Sequence, residues 1–425
     1  MPVDDATSYE DHYPGSFIPF DRFLKQVRLA KYEDYKHTKV RNQQAFNEMK
    51  AHILKMYEGV TKATSFVLQD EHADCIAIHE QPTVYHLGIK DIPPPPVNST
   101  NDHTGDGNAP GNTTSAESPL KLGKKDRFCN PISCPKTSIP MARLTLEKLT
   151  QHPTLNDFFS KPPMDARPQR PEFSADEIHV HAYGIQYVQN FGGNSWLDLW
   201  NPTGDFTISQ QWYQGYASGQ PLQSLEGGWV SENSDNSRLF IYYTADGYGK
   251  LKCWNLDCPA FVQINHNWYL GGPWDHYSTK DGDQWGFALQ WKFYQGNWWL
   301  FLQGPGAYEA VGYYNQTIWN GGQMTHNASV IIYGGEVANY TGGENFPQMG
   351  SGDLAEKGWR EAAFQKTIFW IPRDENDGVG VWANLTANDE GKSSCYTIDL
   401  VNWPNGGDWG TYFYFGGPGG NDCPL

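Results

Sequence analysis

The 425-residue sequence has few charged residues for its length, and most of that charge is of one sign. Asp, Glu, Lys and Arg make up only 19% of the chain, and 48 acidic residues against 31 basic ones give a formal net charge of -17. Nucleic acids and anionic membranes both bind basic surfaces, so this balance argues against either as a partner. No run reaches the roughly 18–20 consecutive apolar residues that a membrane-spanning helix needs.

The motifs of several common catalytic classes are also missing. The sequence contains no His-Glu-x-x-His zinc motif, no Gly-x-Ser-x-Gly nucleophile elbow and no Walker loop. His179 and His181 share one face of a predicted strand, but a third metal ligand is not evident nearby, so a metal site is the weaker interpretation of this pair. We therefore expect neither a metal nor a cofactor.

The seven cysteines cannot all pair within one chain. We expect three pairs between cysteines of the same region: Cys253 with Cys258, Cys395 with Cys423, and Cys129 with Cys134. This arrangement would leave Cys75 unpaired. Zinc is the alternative for the first pair, but no Cys or His lies nearby in the sequence to complete a tetrahedral site, so a disulfide is favoured.

Some features favour an extracellular protein, although Met1 to Asp5 lack both the basic start and the apolar core of a signal peptide. Disulfides form and persist in oxidising compartments. Six Asn-x-Ser/Thr sequons occur, at Asn98, Asn112, Asn315, Asn327, Asn339 and Asn384. Each sequon alone is a weak signal. Secretion, with glycosylation at some of these sites, is therefore an expectation.

The N-terminal two fifths of the chain divide into two regions by composition. Residues 1–90 combine a helical pattern over Val40–Tyr57 with two strand-like runs, Thr64–Leu68 and Cys75–Ile78. This α+β unit has a thin core for about 90 residues, so we expect it to pack on a neighbour. Residues 91–175 are rich in Pro, Asn, Ser and Thr and predict a linker, partly extended and partly disordered, with a short docking helix around Leu146.

Residues 176–425 have a β pattern throughout. Short runs of aromatic and β-branched residues alternate with Gly, Asn and Asp turns, and no convincing helical stretch exceeds about ten residues. Many short strands at this spacing predict an antiparallel β-sandwich. The expected fold class is mainly β, with the sandwich preceded by the small α+β unit.

Two glutamates stand in similar strand-like surroundings within this region. On an extended strand, Glu226 shares a face with Gly228, and Glu336 shares a face with Gly334. Glycine weakens a strand, and close approach by a ligand or another chain is a common reason to tolerate it. Taken singly, each glutamate is more simply an exposed strand residue. If the two carboxyl groups meet, one can stay ionised and take a proton from an attacking water, while the other keeps its proton and polarises a carbonyl.

Short motifs from Glu177 onward together resemble those of the neprosin family of glutamic peptidases. The motifs are Leu225-Glu226-Gly227-Gly228-Trp229, Tyr243–Tyr248, Cys253–Gln263, Gly296–Leu300, Gly312–Tyr314 and Gly334-Gly335-Glu336-Val337. Asp74-Cys75-Ile76 followed by Gln81-Pro82 also resembles the N-terminal activation domain of that family. The chain departs from the usual family pattern at Lys252, at Gly228 and in the length of its linker.

The resemblance implies an antiparallel β-sandwich peptidase that is made as a zymogen, cleaves after proline at acid pH and uses no metal or cofactor. It implies that Glu226 and Glu336 are the catalytic residues and that the substrate is a proline-containing polypeptide. Residues 1–90 would be an activation domain that inhibits the enzyme intramolecularly, and residues 176–425 the catalytic domain. The family's disulfides would correspond to Cys253–Cys258 and Cys395–Cys423. Self-processing at low pH would follow one of the linker prolines, Pro162, Pro163, Pro168 or Pro171.

Two other functions remain as alternatives. A β-sandwich glycoside hydrolase also uses two carboxylates. Such enzymes often place both a few residues apart on one strand, whereas Glu226 and Glu336 are 110 positions apart. The second alternative is a non-catalytic, Trp-rich carbohydrate-binding module, because the chain contains 17 Trp. Such a module would bind without turnover.

Overall fold

The computed structural model describes residues 16–101, 110–161, 178–216, 218–233, 235–339, 345–390, 393–421 and 423. The described residues before position 162 form a small unit and an extended connection, which together are called the leader below. The residues from position 178 onward form two large β-sheets. In their core the two sheets pack closely, because a side chain added at Gly227 of one sheet would meet Leu289 and Trp291 of the other.

The leader contains short helices and strands. Its elements are α1 (Phe20–Leu29), α2 (Gln43–Met56), β1 (Thr64–Leu68), β2 (Glu71–Ala77), α3 (Pro82–Leu87), β3 (Thr114–Ser115), β4 (Ser138–Ala142), α4 (Leu146–Leu149) and α5 (Leu155–Phe158). The predicted helix over Val40–Tyr57 is confirmed as α2. The Asn42 side chain caps this helix by accepting a hydrogen bond from the Ala45 amide, and the apolar residues at helical spacing are buried.

The strands of the sandwich follow one another with few helical interruptions. They are β5 (Ile178–Asn190), β6 (Gly192–Asp198), β7 (Phe206–Gly215), β8 (Gln223–Glu232), β9 (Arg238–Thr244), β10 (Lys252–Trp254), β11 (Phe261–Gln263), β12 (Trp285–Tyr294), β13 (Asn297–Gln303), β14 (Glu309–Asn315), β15 (Ala328–Asn339), β16 (Ala363–Trp370), β17 (Val381–Trp382), β18 (Thr386–Asp389), β19 (Thr397–Val401) and β20 (Tyr412–Gly416). Short 3-10 helices occur at Tyr32–Tyr35, Ile78–Glu80, Gln316–Trp319, Gln323–Thr325, Ala355–Lys357 and Gly407–Trp409.

Three sheets are present in the described part of the chain. The leader sheet has the order β1-β2-β4, and the first sandwich sheet has the order β10-β9-β8-β7-β15-β5-β18. The second sandwich sheet has the order β11-β14-β13-β12-β6-β16-β20-β19, with β17 added on β16 and β3 on β12. Among these described strands, only the pairing of β3 with β12 is parallel. The predicted fold class, a mainly β antiparallel sandwich after a small α+β unit, is confirmed.

The leader packs on the first sandwich sheet and on the edge of the second, as its thin core predicted. The His52 imidazole lies 2.7 Å from the Asp257 carbonyl oxygen. At the sheet edge, the Gln81 side chain and the Gln263 backbone exchange two hydrogen bonds of 2.9 Å. The same apolar cluster continues from the leader helices into the sandwich core. The leader therefore shares its core with the sandwich.

The segment predicted as a linker is folded against both neighbours. Its strand β4 completes the leader sheet, and the expected docking helix is confirmed as α4. Upstream, the Gln290 side chain holds the Ser99 backbone through hydrogen bonds of 2.7 and 2.8 Å. The expectation of partial disorder is thus corrected for the described residues, because apolar side chains scattered among the prolines, such as Ile139 and Leu149, are buried. Residues 102–109 and 162–177 lie outside the described residues.

The disulfides differ from the expected set at one position. Cys253–Cys258 and Cys395–Cys423 are present, as predicted. The expected local pair of Cys129 with Cys134 is wrong, since Cys134 bonds to Cys75 and Cys129 is free and exposed. The physical reason is the leader sheet, because the pairing of β2 with β4 brings these two distant parts of the sequence together. No helix in the described ranges has the length and apolar character needed to cross a bilayer.

Candidate active site

The first sandwich sheet brings the two glutamates singled out in the sequence onto one face. Glu226 lies on β8 and Glu336 on β15, and both strands pair with β7, which runs between them. Glu226 is opposite Trp212 of β7, and Glu336 is opposite Ile208. Residues at even spacing on a strand point to the same side, so both carboxyl groups project from the same face. The two motifs therefore meet one strand apart.

Both glutamates are fully buried beneath the end of the leader. Lys161, the last described residue of the leader, inserts its ammonium group between them. The Lys161 Nζ lies 2.8 Å from Glu226 Oε2 and 3.2 Å from Glu336 Oε2, and all three side chains have 0% exposure. Neither glutamate is therefore the exposed strand residue that each suggested singly. One small polar group placed where the ammonium lies would contact both carboxylates.

The charges of this cluster are balanced only in part. Burial alone would lower the pKa of the Lys161 ammonium, but Glu226 and Glu336 raise it above its usual value. The lysine is therefore charged at neutral pH and compensates one of two buried negative charges. A buried charge that loses its partner is strongly destabilising, so the ion pairs tie the leader to this site.

A glutamine lies between the two glutamates on β7. Gln210 donates a hydrogen bond of 3.0 Å from Nε2 to Glu336 Oε2. Its neighbours across the sheet are the two glycines, Gly228 on β8 and Gly334 on β15. A side chain at either glycine would collide with the backbone of an adjacent strand, at Ser209 or at Ala182.

These collisions explain why glycine occupies positions 228 and 334. The sequence left open whether a ligand or another chain approaches Gly228 and Gly334, and the structure shows that the backbone of an adjacent strand does. The absence of side chains at both positions leaves Gln210 without a cross-strand side-chain neighbour on β8 or β15. The amide can therefore extend toward Glu336.

A tyrosine holds the other glutamate. The hydroxyl of Tyr248 donates a hydrogen bond of 2.7 Å to Glu226 Oε1. Tyr248 follows β9 in a tight turn, where the Asp246 carboxylate accepts three backbone N–H bonds, from Gly249, Lys250 and Leu251. Burial, and then the charge of Glu226, raise the pKa of the Tyr248 hydroxyl well above its usual value, so it stays protonated and donates to Glu226.

Aromatic rings form the walls beside the ammonium group. The Lys161 Nζ lies 5.6 Å from the ring centre of Trp212 and 5.9 Å from that of Tyr242. Tyr242 is opposite Glu226 on β9, so the two rings flank this glutamate on both sides. Both rings are fully buried in the presence of the leader. Flat aromatic faces therefore adjoin the carboxyl groups.

The two histidines of β5 lie near Glu336. His179 Nδ1 and His181 Nε2 are each 3.8 Å from Glu336 Oε1, and His181 Nδ1 lies 2.7 Å from Glu390 Oε2. Burial lowers the pKa of His179 to about 4. In the described part of the chain, no group of three or more His, Cys, Asp or Glu is arranged to hold a metal ion. His179 and His181, on one face of β5, therefore lie beside the Glu336 carboxylate.

Several residues of this site were not predicted from the sequence. Lys161 lies in a segment without periodicity, so nothing in the sequence indicates its position. Two of these residues could have been indicated by the sequence. Gln210 lies on the same strand face as Trp212, and Tyr248 belongs to the Tyr243–Tyr248 motif. Glu390 lies beyond β18 and approaches only because β18 pairs with β5.

A comparison with models of known protein families finds one that matches this chain. The family model described as Neprosin matches residues 203–418, a range that includes both glutamates. Similar solved structures include scytalido-glutamic peptidase with a peptide based transition state analog, at 8% identity and a TM-score of 0.32. Another is SCP-B, a member of the Eqolisin family of peptidases, in a complex with the tripeptide Ala-Ile-His, at 8% identity and a TM-score of 0.30. Each alignment covers 56% of this chain and 98% of the other.

Structural similarity at these scores adds nothing to the assignment, which rests on the family model. That model spans half of the chain and contains the paired Glu-and-glycine motifs. The chain belongs to the neprosin family of peptidases.

Proposed function

We propose that this protein is a glutamic endopeptidase in which Glu226 and Glu336 activate water for peptide hydrolysis. The observation that carries this proposal is the Lys161 ammonium, which contacts one oxygen of each glutamate at 2.8 and 3.2 Å. An ammonium group and a water molecule are similar in size and both donate hydrogen bonds. After the leader leaves, a water in the same place contacts both carboxyl groups.

The reaction then needs only the two carboxyl groups and their partners. The ionised glutamate takes a proton from the water as its oxygen attacks the peptide carbonyl carbon. The protonated glutamate donates to the carbonyl oxygen and stabilises the negative charge that develops there. The proton taken from the water passes to the leaving nitrogen when the C–N bond breaks. The Tyr248 and Gln210 hydrogen bonds keep the two carboxyl groups in position.

A preference for proline before the cleaved bond is supported by the aromatic walls. Trp212 and Tyr242 lie on either side of Glu226, and their rings are within 6 Å of the position that the lysine ammonium occupies. Aromatic faces bind a flat, apolar pyrrolidine ring well, because its packing needs no hydrogen-bond donor. Proline-containing polypeptides are therefore the proposed substrates.

The chain is proposed to be a zymogen, with the leader as its intramolecular inhibitor. Lys161 fills the space between the glutamates, and both glutamates are fully buried. In acid, protonation of both glutamates would leave the buried ammonium without a counter-charge, which favours release. Processing would then follow Pro162, Pro163, Pro168 or Pro171, all of which lie outside the described residues. The catalytic domain would comprise residues 176–425.

Secretion is part of the same proposal. Three disulfides suit an oxidising compartment, and two of the sequons, Asn112 and Asn384, are exposed. Endoglycosidase treatment of the protein from a eukaryotic secretory host would test the glycosylation. A shift in mass that disappears in the N112Q and N384Q double variant is expected.

The test of the catalytic proposal is a pair of isosteric substitutions. E226Q and E336Q keep the size of each side chain and remove its ability to exchange a proton. Each variant, freed of its leader by the active enzyme in trans, should hydrolyse a proline-containing peptide at least 100-fold more slowly than the wild-type enzyme. E375Q, at an exposed glutamate, is the matched control and should keep full activity.

Circular dichroism and thermal melting would show that each variant is folded. Near-normal hydrolysis by either folded variant would refute the dyad. Substrates that differ only by Pro or Ala before the cleaved bond separate the proline preference from the chemistry. Equal kcat/KM for the two peptides would refute the preference and leave the dyad intact.

A further inference from the structure

Beyond the two glutamates, a histidine and a third carboxyl group form a continuous line to Glu336. His181 is directly opposite Glu336 across β5 and β15, and its Nε2 lies 3.8 Å from Glu336 Oε1. On its other side, His181 Nδ1 lies 2.7 Å from Glu390 Oε2. The His181 side chain is only 4% exposed, so it cannot exchange its partners freely with solvent.

The backbone holds Glu390 in place around this imidazole. The Glu390 amide donates to the His181 carbonyl at 2.9 Å, and the His181 amide donates to Glu390 Oε2 at 3.2 Å. The carboxylate therefore accepts from both the backbone and the side chain of the same histidine. This arrangement requires a hydrogen on Nδ1, which leaves Nε2 facing Glu336.

His181 and Glu336 each direct a buried polar atom without a hydrogen bond toward the other. Within the described residues, His181 Nε2 and Glu336 Oε1 are both buried and make no hydrogen bond. They face each other at a distance where an imidazolium and a carboxylate attract strongly in a dry site. An additional proton on Nε2 is therefore stabilised by Glu336 in front and by Glu390 behind.

We propose that His181 and Glu390 are positioning residues that hold a proton on the imidazole and thereby keep Glu336 ionised as the base of the reaction. Glu226, whose Oε1 accepts from Tyr248, is then the member that carries a proton to the carbonyl oxygen. The inference rests on the proposed function and assigns a role to each glutamate. One proton is shared between His181 and Glu336, and the negative charge of Glu390 places it on the histidine.

The charged and titratable groups that face His181 from the surrounding elements favour a proton on its imidazole. They are Glu390 beyond β18, Glu336 on β15, Lys161 of the leader and His179 on the same strand. Burial alone would lower the pKa of the His181 imidazole, but Glu390 and then Glu336 raise it above its usual value, against the effect of Lys161. Removal of the leader takes the lysine away, so the imidazolium is favoured further in the processed enzyme.

The experiment compares pH profiles of kcat/KM for processed enzymes. E390Q keeps the hydrogen-bond acceptor and removes the charge, and H181N removes the titrating ring. In both, the low-pH limb of the profile should move toward higher pH by about one unit, because Glu336 then binds a proton more readily. H326N, at an exposed histidine, is the matched control and should reproduce the wild-type profile.

A second readout identifies the charged ring directly. In the protein labelled with nitrogen-15 at histidine, the His181 signals, assigned by their loss in H181N, should be those of an imidazolium at pH 6. The same signals should become those of a neutral ring in E390Q and stay charged in E390D. E390D also keeps the test decisive if E390Q does not fold, since its low-pH limb should stay near that of the wild type.

Wild-type profiles for both E390Q and H181N, or a neutral His181 in the wild-type protein, would overturn the inference. The catalytic proposal fails separately. It depends on E226Q and E336Q losing hydrolysis, whatever the profiles of the histidine variants are.

Discussion

Lys161 Nζ lies 2.8 Å from Glu226 Oε2, and both side chains are sealed from solvent. The lysine belongs to the leader and the glutamate to the sandwich, so this ion pair joins two parts of the chain that the proposed processing separates. A buried ion pair stabilises a docked state mainly because breaking it leaves an unpaired charge. In the proposed zymogen, the pair would hold the leader in place and keep water from the space between the glutamates.

Replacement of this lysine should weaken latency. K161M removes the ammonium and leaves two buried carboxylates facing each other, which costs the docked leader about 3–5 kcal/mol. We expect K161M to process itself faster than the wild-type protein and to begin at a higher pH. Gel electrophoresis of samples held between pH 3 and pH 7 measures both quantities.

K121M is the matched control for this experiment. Lys121 also joins the leader to the sandwich, through Asp275 at 3.0 Å, but it does not approach the glutamates. Its pair is partly exposed and worth little. Processing of K121M should therefore follow the wild type. Identical rates and pH thresholds for K161M and the wild type would contradict the proposed role of the ion pair.

The hydrogen bond from Tyr248 to Glu226 should contribute to turnover. Y248F removes the hydroxyl and keeps the ring, so a buried oxygen of Glu226 is left without its donor, which costs about 1–3 kcal/mol. We expect kcat/KM of the processed enzyme to fall about tenfold to 100-fold, mostly through kcat. Y216F, at a tyrosine whose hydroxyl donates to Gln214 instead, is the comparison and should keep most activity. An unchanged kcat in Y248F would show that the bond has no part in the reaction.

The sequence predicted the sandwich, which is confirmed, and it indicated the two glutamates as candidates, because both inferences depend on local regularities. Strand alternation places Glu226 with Gly228 and Glu336 with Gly334, and those parities hold in the structure. The shared face could not be predicted, because it depends on β7 pairing with both strands. That pairing joins strands that are far apart in the sequence, and neither motif indicates it.

The other misses have the same origin. Lys161 lies among prolines, and the two glutamates that it contacts are 65 and 175 positions away in the sequence. Local composition therefore does not indicate which residues it contacts. Proximity in sequence favoured Cys129 as the partner of Cys134, but a cysteine 59 positions from Cys134 is the true partner. Composition predicted a partly disordered linker over residues 91–175, and this was wrong for the described residues because an average hides the few apolar residues that are buried there, such as Ile139 and Leu149.

Acid should loosen the leader through its histidines. His72 accepts a hydrogen bond of 2.9 Å at Nε2 from the Ile18 amide, so it must be neutral there. Burial, and next the charge of Arg143, lower its pKa to about 4. Below pH 6.5 the unfolded chain binds this proton and the folded leader does not. Stability is therefore lost as the pH falls from about 6.5 to about 4.

The measurement needs a protein that cannot process itself, so it uses the E336Q background. Thermal melting of E336Q between pH 7.5 and pH 4 should show a falling midpoint, and H72N in the same background should show a smaller fall. H326N, at an exposed histidine of the sandwich, should follow the parent. Equal slopes for all three proteins would exclude His72 as a contributor.

The disulfide between Cys75 and Cys134 should stabilise the leader more than any other single covalent feature in it. It closes a segment with a sequence separation of 59, and a loop of that length removes about 4 kcal/mol of chain entropy from the unfolded state. The double variant C75S and C134S should therefore melt at a lower temperature and become sensitive to trypsin within the leader at neutral pH. C129S changes the free, exposed cysteine in the same region and should leave both properties unchanged. If C129S were destabilised and the single variant C75S behaved as the wild type, the local pairing of Cys129 with Cys134 would have to be restored.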